Sequence, residues 1–247
     1  KSCLGQHGAA EEESKSKTET CPLLYDLTSL QREANGRFGF SAKNTLGIAQ
    51  ALYEKHKALT YPRTDSRHLP EDYLATVKET LGSMAETAYA PFAGMILKSG
   101  WVHPNKRIFN NAKVSDHFAI IPTGTIPKSL SEPEQKIYDL VTKRFLAIFY
   151  PAAEYNITTR ITRIKTGAEQ AAFKTEGKVL VTPGWLAVYG KESQGDDENP
   201  NLPPLEKNER VWARDVEIKA KATQPPPRFS EATLLTAMEG AGKLIED

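Results

Sequence analysis

The chain has 247 residues, of which 39% are apolar and 26% charged, with a formal net charge of +1. This is enough to bury a core in one large or two smaller globular domains. No run of about 18 apolar residues excludes a membrane-spanning helix, and no secretory signal is visible. Cys3 and Cys21 are the only cysteines and lack a paired zinc spacing, so reduced thiols in a cytoplasmic setting are expected, with no membrane partner.

Residues 1–20 are polar, with Glu11-Glu12-Glu13 and alternating Ser and Lys. They read as a flexible linker whose glutamates are solvated rather than metal ligands. Thr28 to Asn35 has a short helical pattern, broken by Gly36 and Gly39, and Ser41 is placed to cap the next helix. There, Ala42, Leu46, Ala49, Leu52 and Tyr53 form one apolar stripe, and Lys43, Asn44, Gln50 and Lys57 lie off it. Helix, glycine turn, helix is the outline of a helix-turn-helix DNA-binding unit, although many helical hairpins share it.

Pro70-Glu71-Asp72 predicts a helix start with proline at its first position, continued by Tyr73, Val77, Thr80, Leu81 and Met84. Residues 90–130 read as short elements with loops. Ser131-Glu132-Pro133-Glu134 is a capping box, and its helix uses Ile137, Leu140, Val141, Ile148 and Phe149 before stopping at Pro151. After Pro151, Tyr155, Ile157, Thr159 and Ile161 alternate with polar residues, the period of a strand. Phe173, Val179 to Val181, Trp185 to Tyr189 and Val211 to Ala220 are further strand candidates. Gln194 to Pro204 reads as an acidic loop, and Ser230 caps a last helix. The expected class is α+β.

Charge is uneven. Thr28 to Ile148 holds 16 Lys and Arg against 11 Asp and Glu, or +5, which leaves −4 for the remainder. Thr28 to Arg67 alone has seven basic and three acidic residues. A basic region suits a phosphate backbone, and equally an ordinary solvated helix face.

Within that region lies Leu59-Thr60-Tyr61-Pro62-Arg63-Thr64-Asp65-Ser66. Pro62 fixes its own φ and keeps Tyr61 out of the helical region, so Tyr61 and Arg63 are expected on extended backbone, pointing to one side. A phenol can attack phosphorus, and a planar, always-charged guanidinium can hold the phosphate attacked. Tyr-Pro-Arg alone also fits a plain turn beside a solvated arginine.

The longer string resembles the active-site tyrosine segment of type IA DNA topoisomerases, in the form found in bacterial topoisomerase III. Leu27 to Asn35, running on to Gly39-Phe40-Ser41-Ala42-Lys43, is similar to the family's helical lead-in. Lys113-Val114-Ser115-Asp116-His117-Phe118-Ala119-Ile120-Ile121-Pro122-Thr123 resembles its histidine segment. The three matches fall in the family's order and cover most of residues 22–230.

The resemblance implies a mainly helical, tyrosine-bearing domain over 22–150 with a helix-turn-helix-like core. It implies an antiparallel β portion of the family's arch over 151–227 and the start of a further helical DNA-binding domain over 228–247. Residues 1–21 are then a linker or a partial arch segment. Tyr61 is implied as the nucleophile that joins a 5′ phosphate of single-stranded DNA, Arg63 as the cation beside it, and His117 as a phosphate contact. Asp116 could orient or charge His117. Lys43, Gln50, Thr64, Asp65, Ser66, Lys113, Ser115 and Asp116 are assigned DNA-binding or supporting roles. His7, His56, His68 and His103 lack such a context.

The family's acidic magnesium cluster belongs to an N-terminal domain, and no Asp-x-Asp strand end occurs here. Neither Glu11 to Glu13 nor Asp196-Asp197-Glu198 matches it. The expectation is an internal fragment of a cytoplasmic, nucleoid-associated enzyme, with no metal site of its own and inactive without its magnesium-bearing domain. Two alternatives stand beside this: a helix-turn-helix binder that does no chemistry, and a rolling-circle relaxase. The relaxase would carry a His-hydrophobe-His pair, which is lacking.

Overall fold

The computed structural model describes residues 2–167, 169–193, 202–203, 205–206 and 209–241. It is an α+β structure of two compact units. One comprises Lys1–Glu19, Ala152–Gly184 and Gly190–Pro226; the other comprises Thr20–Pro151, Trp185–Tyr189 and Pro227–Asp247. Among the described residues, no helix is long and apolar enough to cross a membrane.

The first unit is an antiparallel sheet of β1 (His7–Glu19), β2 (Ala153–Thr166), β3 (Glu169–Thr182) and β4 (Arg210–Trp212), in the order β3-β2-β1-β4. Residues 7–19 are therefore a strand inside the sheet and not a flexible linker. The sequence hides this because most of β1 is exposed, so no apolar alternation marks it. Its glutamates are paired: Glu12 accepts from Arg160 at 2.9 and 2.5 Å, and Glu11 from Arg163 at 2.5 Å. Cross-strand opposite charges of this kind stabilise a ladder where apolar pairs are missing.

Val211 to Ala220 enters the sheet only at Arg210–Trp212. Gln194 to Pro204, with Asp196-Asp197-Glu198, lies outside the described residues except for 202 and 203.

The second unit holds α1 (Leu27–Phe38), α2 (Ala42–Glu54), α3 (Leu74–Ser83), α4 (Ala90–Lys98), α5 (Glu132–Ala147) and α6 (Glu231–Glu239). Asp26 and Ser41 cap α1 and α2 through their side chains, and Gly39 closes α1 in the left-handed conformation. The face α2 buries is Thr45, Ala49 and Leu52, with Ala42 and Leu46 only half-covered. Thr45 is tolerated inside because its hydroxyl returns to the Ser41 carbonyl at 3.0 Å. Pro70 precedes a 3₁₀ turn at Glu71–Tyr73 that leads into α3, so it stands one place before the helical residues. The capping box of α5 is present, with Glu134 accepting from the Ser131 amide at 2.8 Å.

Trp185 to Tyr189 is not a strand. It lies in a 3₁₀ segment, Gly184–Ser193, interrupted at Gly190, and buries Leu186, Val188 and Tyr189. A short apolar run cannot be told from a buried helical turn by periodicity alone. Residues 228–241, expected to open a further domain, fall with the helical unit. There α6 packs on α1 through Arg32–Glu239 at 2.6 Å, and Glu231 accepts from the Ala42 amide at 2.5 Å.

Two buried clusters fill this unit. One centres on Leu69, Leu81, Met84, Ile96 and Phe145. The other joins Leu30, Leu52, Leu59, Ile120 and Val141. The second includes Ala58 and Leu59, which lead into Tyr61.

Candidate active site

The chain leaves α2 through Lys57, whose φ of 54° is left-handed, and then runs straight. Residues 58–66 lie against residues 113–123. The Thr60 amide donates to the Ile121 carbonyl at 3.0 Å, and the Thr123 amide to the Ala58 carbonyl at 3.0 Å. The Thr60 hydroxyl fills the remaining gap, donating to the Ala119 carbonyl at 3.0 Å and accepting from the Ile121 amide at 2.9 Å.

Further along, Pro62, Thr64 and Ser66 turn inward while Arg63 and Asp65 are exposed and Tyr61 is half-buried. That is the two-residue alternation of extended backbone. The inward hydroxyls do the anchoring. Thr64 donates to the His117 carbonyl at 3.2 Å, and Ser66 to the Lys113 carbonyl at 2.7 Å. On the other side, the Leu27 amide donates to the Thr64 carbonyl at 3.0 Å, and the Ile120 amide to the Tyr25 carbonyl at 2.8 Å.

These bonds bring Tyr61 and His117 together, with ring centroids 4.3 Å apart and planes tilted by 45°. Tyr53 meets the Tyr61 ring edge-on at 5.4 Å, and the Lys57 ammonium sits 5.9 Å from the Tyr53 ring centre. Arg63 donates to the Gln50 amide oxygen at 3.2 Å, and the Gln50 amide nitrogen donates to Glu54 at 3.0 Å. Asp65 accepts from the Ser115 hydroxyl at 3.2 Å. Tyr61, Arg63, His117, Gln50, Asp65 and Ser115 thus share one surface, with Thr64 and Ser66 buried behind it.

Three named residues stand differently. Lys43 is exposed on the Gln50 face of α2, seven residues earlier and so about 10 Å along the axis. Lys113 contributes its carbonyl, while its side chain is exposed. Asp116 is exposed and, among the described residues, makes no hydrogen bond to His117. The backbone contact from Thr64 holds the histidine segment instead.

Sequence reasoning counted Tyr53 as core and passed over Thr60. It also passed over the buried support beneath. Arg144 pairs with Glu33 at 2.6 Å, donates to the Leu23 carbonyl at 2.9 Å and lies 4.3 Å from the Tyr25 ring centre. Tyr25 donates to the same Glu33 oxygen at 2.5 Å. Burial pushes the Tyr25 phenol well up and the Cys21 thiol to about 12, so neither ionises near neutrality. Only long-range packing brings Arg144 to Glu33, and no local pattern signals it.

The surroundings are basic. Burial holds His68 below its ordinary range, and the charges of Lys113, Arg67 and Arg107 add to that. Among the described residues, no three His, Cys, Asp or Glu side chains come together to hold a metal ion.

The helical unit thus presents a tyrosine, an imidazole and a guanidinium on one surface, and comparison with known proteins supplies the family. Residues 5–242 match the family model described as DNA topoisomerase, and the chain belongs to that family. It is 45% identical to DNA topoisomerase 3 of Bacillus subtilis over 96% of its length, and 46% identical to that of Bacillus licheniformis over 93%. It spans about a third of the length of these relatives, 33% and 32%. Full-length topoisomerase I from Thermotoga maritima superposes with a TM-score of 0.69 at 26% identity, over 96% of this chain and 38% of that one.

Proposed function

We propose that this chain carries the strand-cleaving tyrosine of a type IA topoisomerase. The Tyr61 oxygen attacks a backbone phosphorus of single-stranded DNA. A bond forms between that oxygen and phosphorus as the phenol gives up its proton, the bond to the 3′ oxygen breaks, and the leaving oxygen takes up a proton as the free 3′ hydroxyl, so that no net proton is gained or lost. Resealing is the reverse. The phosphotyrosine conserves the bond energy, so strand passage with relaxation or decatenation needs no ATP.

The observation that carries this reading is the Tyr61–His117 pair at 4.3 Å with Arg63 on the same surface. Arg63 offers the charge and His117 the ring nitrogens that a phosphate with growing negative charge requires; loss of one such donor costs on the order of 100-fold. Magnesium and its acidic domain are assigned to the rest of the polypeptide, so the isolated chain should not relax plasmid. The compartment that follows is the cytoplasm, on nucleoid DNA.

The test is denaturing electrophoresis of labelled single-stranded DNA after protease digestion, with the complete enzyme. The Tyr61→Phe protein should form no peptide adduct while still binding DNA. An adduct from that protein would end the assignment.

A further inference from the structure

On one face of the sheet, two rows of side chains run across the strands. Trp212 lies opposite His7, His7 falls in register with Lys165, and Lys165 lies opposite Gln170. The next row is Arg210, Ala9 and Arg163. Alternate residues on a strand share a face, so both rows look the same way. With Glu11 they line a cavity of about 900 Å³. Small side chains make the hollow: Ala9 is its centre, and next to it Gly8 lets β1 approach β2. A Cβ at Gly8 would collide with the Arg163 carbonyl oxygen.

The lining has a definite chemistry. Arg163, Lys165 and Arg210 face one carboxylate, Glu11, which leaves +2. Glu11 is taken by Arg163 at 2.5 Å, and Lys165 and Arg210 have no ion-pair partner among the described residues. Trp212 stacks on His7 at 5.8 Å with a 26° tilt, yet is 65% exposed, so its other face is open. Unpaired cations attract a polyanion, and an open indole offers a platform for a flat ring. An acidic peptide would use the cations and ignore the indole. A duplex keeps its base faces hidden. A single strand satisfies both.

We propose that this face of the sheet is a second site for single-stranded DNA, in which Trp212 stacks a base and Lys165 and Arg210 hold the flanking phosphates. It shares with the Tyr61 reading only the ligand, and it needs no strand cleavage.

The test follows tryptophan emission while the 247-residue chain is titrated with a short oligothymidylate. Trp101 and Trp185 pack against the helical core, so a stacked base quenches mainly Trp212. Quenching should saturate, weaken with salt and vanish in Trp212→Phe. Arg210→Glu should weaken the affinity about tenfold. Lys15→Glu, the same charge change about 20 Å along β1 from Ala9, should weaken it far less. Arg210 and Lys15 are both exposed, so neither change threatens the fold. Absence of quenching, equal losses in the two charge variants, or equal quenching by polyglutamate would overturn the site. Because the signal requires no adduct, a failed Tyr61 chemistry leaves it standing, and a flat titration leaves Tyr61 untouched.

Discussion

The buried Thr64 hydroxyl donates to the carbonyl of His117 at 3.2 Å, and so ties the tyrosine segment, three residues after Tyr61, to the histidine segment at His117 itself. Thr64→Val keeps the shape but removes both that donor and the acceptor of the Ser66 amide at 3.1 Å, which leaves the part-buried His117 carbonyl and the Ser66 amide short of a partner. The expected cost is about 1–3 kcal/mol in urea unfolding. Adduct formation by the complete enzyme should slow with it, because a misplaced His117 no longer meets the phosphate. Thr64→Ser should restore both. His117→Ala should leave stability nearly unchanged, since the ring is exposed, and reduce adduct formation on the order of 100-fold. Equal effects of Thr64→Val and Thr64→Ser would remove the hydrogen bond from the account.

Arg63 and Gln50 make a second prediction. The guanidinium is held by the Gln50 side chain at 3.2 Å on an otherwise exposed surface. Arg63→Lys keeps the charge and loses the planar fork, so cleavage should slow while adducts still form. Gln50→Ala should give a milder loss, expressed mainly at low DNA concentration, because it frees the arginine without removing it. If Arg63→Lys cleaves at the parental rate in a single-turnover assay, the fork has no role.

Much of this surface is legible in sequence because it is local. Pro62 dictates extended backbone, the two-residue period then separates Tyr61 and Arg63 from Thr64 and Ser66, and the structure keeps that division. Helix starts at Ser41 and Ser131 are legible for the same reason: caps are written within four residues. What depends on a distant partner is not. β1 looks like a solvated linker because its order comes from Arg160 and Arg163, about 150 residues away. Trp185 to Tyr189 looks like a strand because an apolar run does not say whether Arg144 or a neighbouring strand will meet it.

Arg144 supplies the third prediction. Its side chain is 7% exposed, pairs with Glu33 and covers the Tyr25 ring. Arg144→Leu would leave Glu33 in a half-buried site with, among the described residues, the Arg37 guanidinium at 3.0 Å and the Tyr25 hydroxyl at 2.5 Å to compensate. Breaking such a pair costs about 3 kcal/mol, at the low end here because Arg37 remains. Glu33→Gln with Arg144→Leu should recover part of that loss. If the double variant is as unstable as the sum of the two single ones, the pair is not coupled.

The last prediction concerns acid. Glu134 is held down to about 2, first by the Ser131 hydroxyl, then by the Ser131 amide and His56. Its contact with His56, at 3.1 Å, joins the turn that follows α2 to the start of α5, just before the tyrosine segment. A carboxyl whose folded pKa is depressed binds fewer protons when folded than when unfolded. Its contribution is therefore fully present above the ordinary carboxylate range and is lost as pH falls through that range towards about 2. Stability measured by urea unfolding should fall through this window, and more steeply in the parent than in Glu134→Gln. Near neutrality Glu134→Gln should be less stable than the parent, with the gap narrowing on acidification. Parallel curves for the two proteins from pH 7 down to pH 2 would show that folding does not lower the Glu134 pKa.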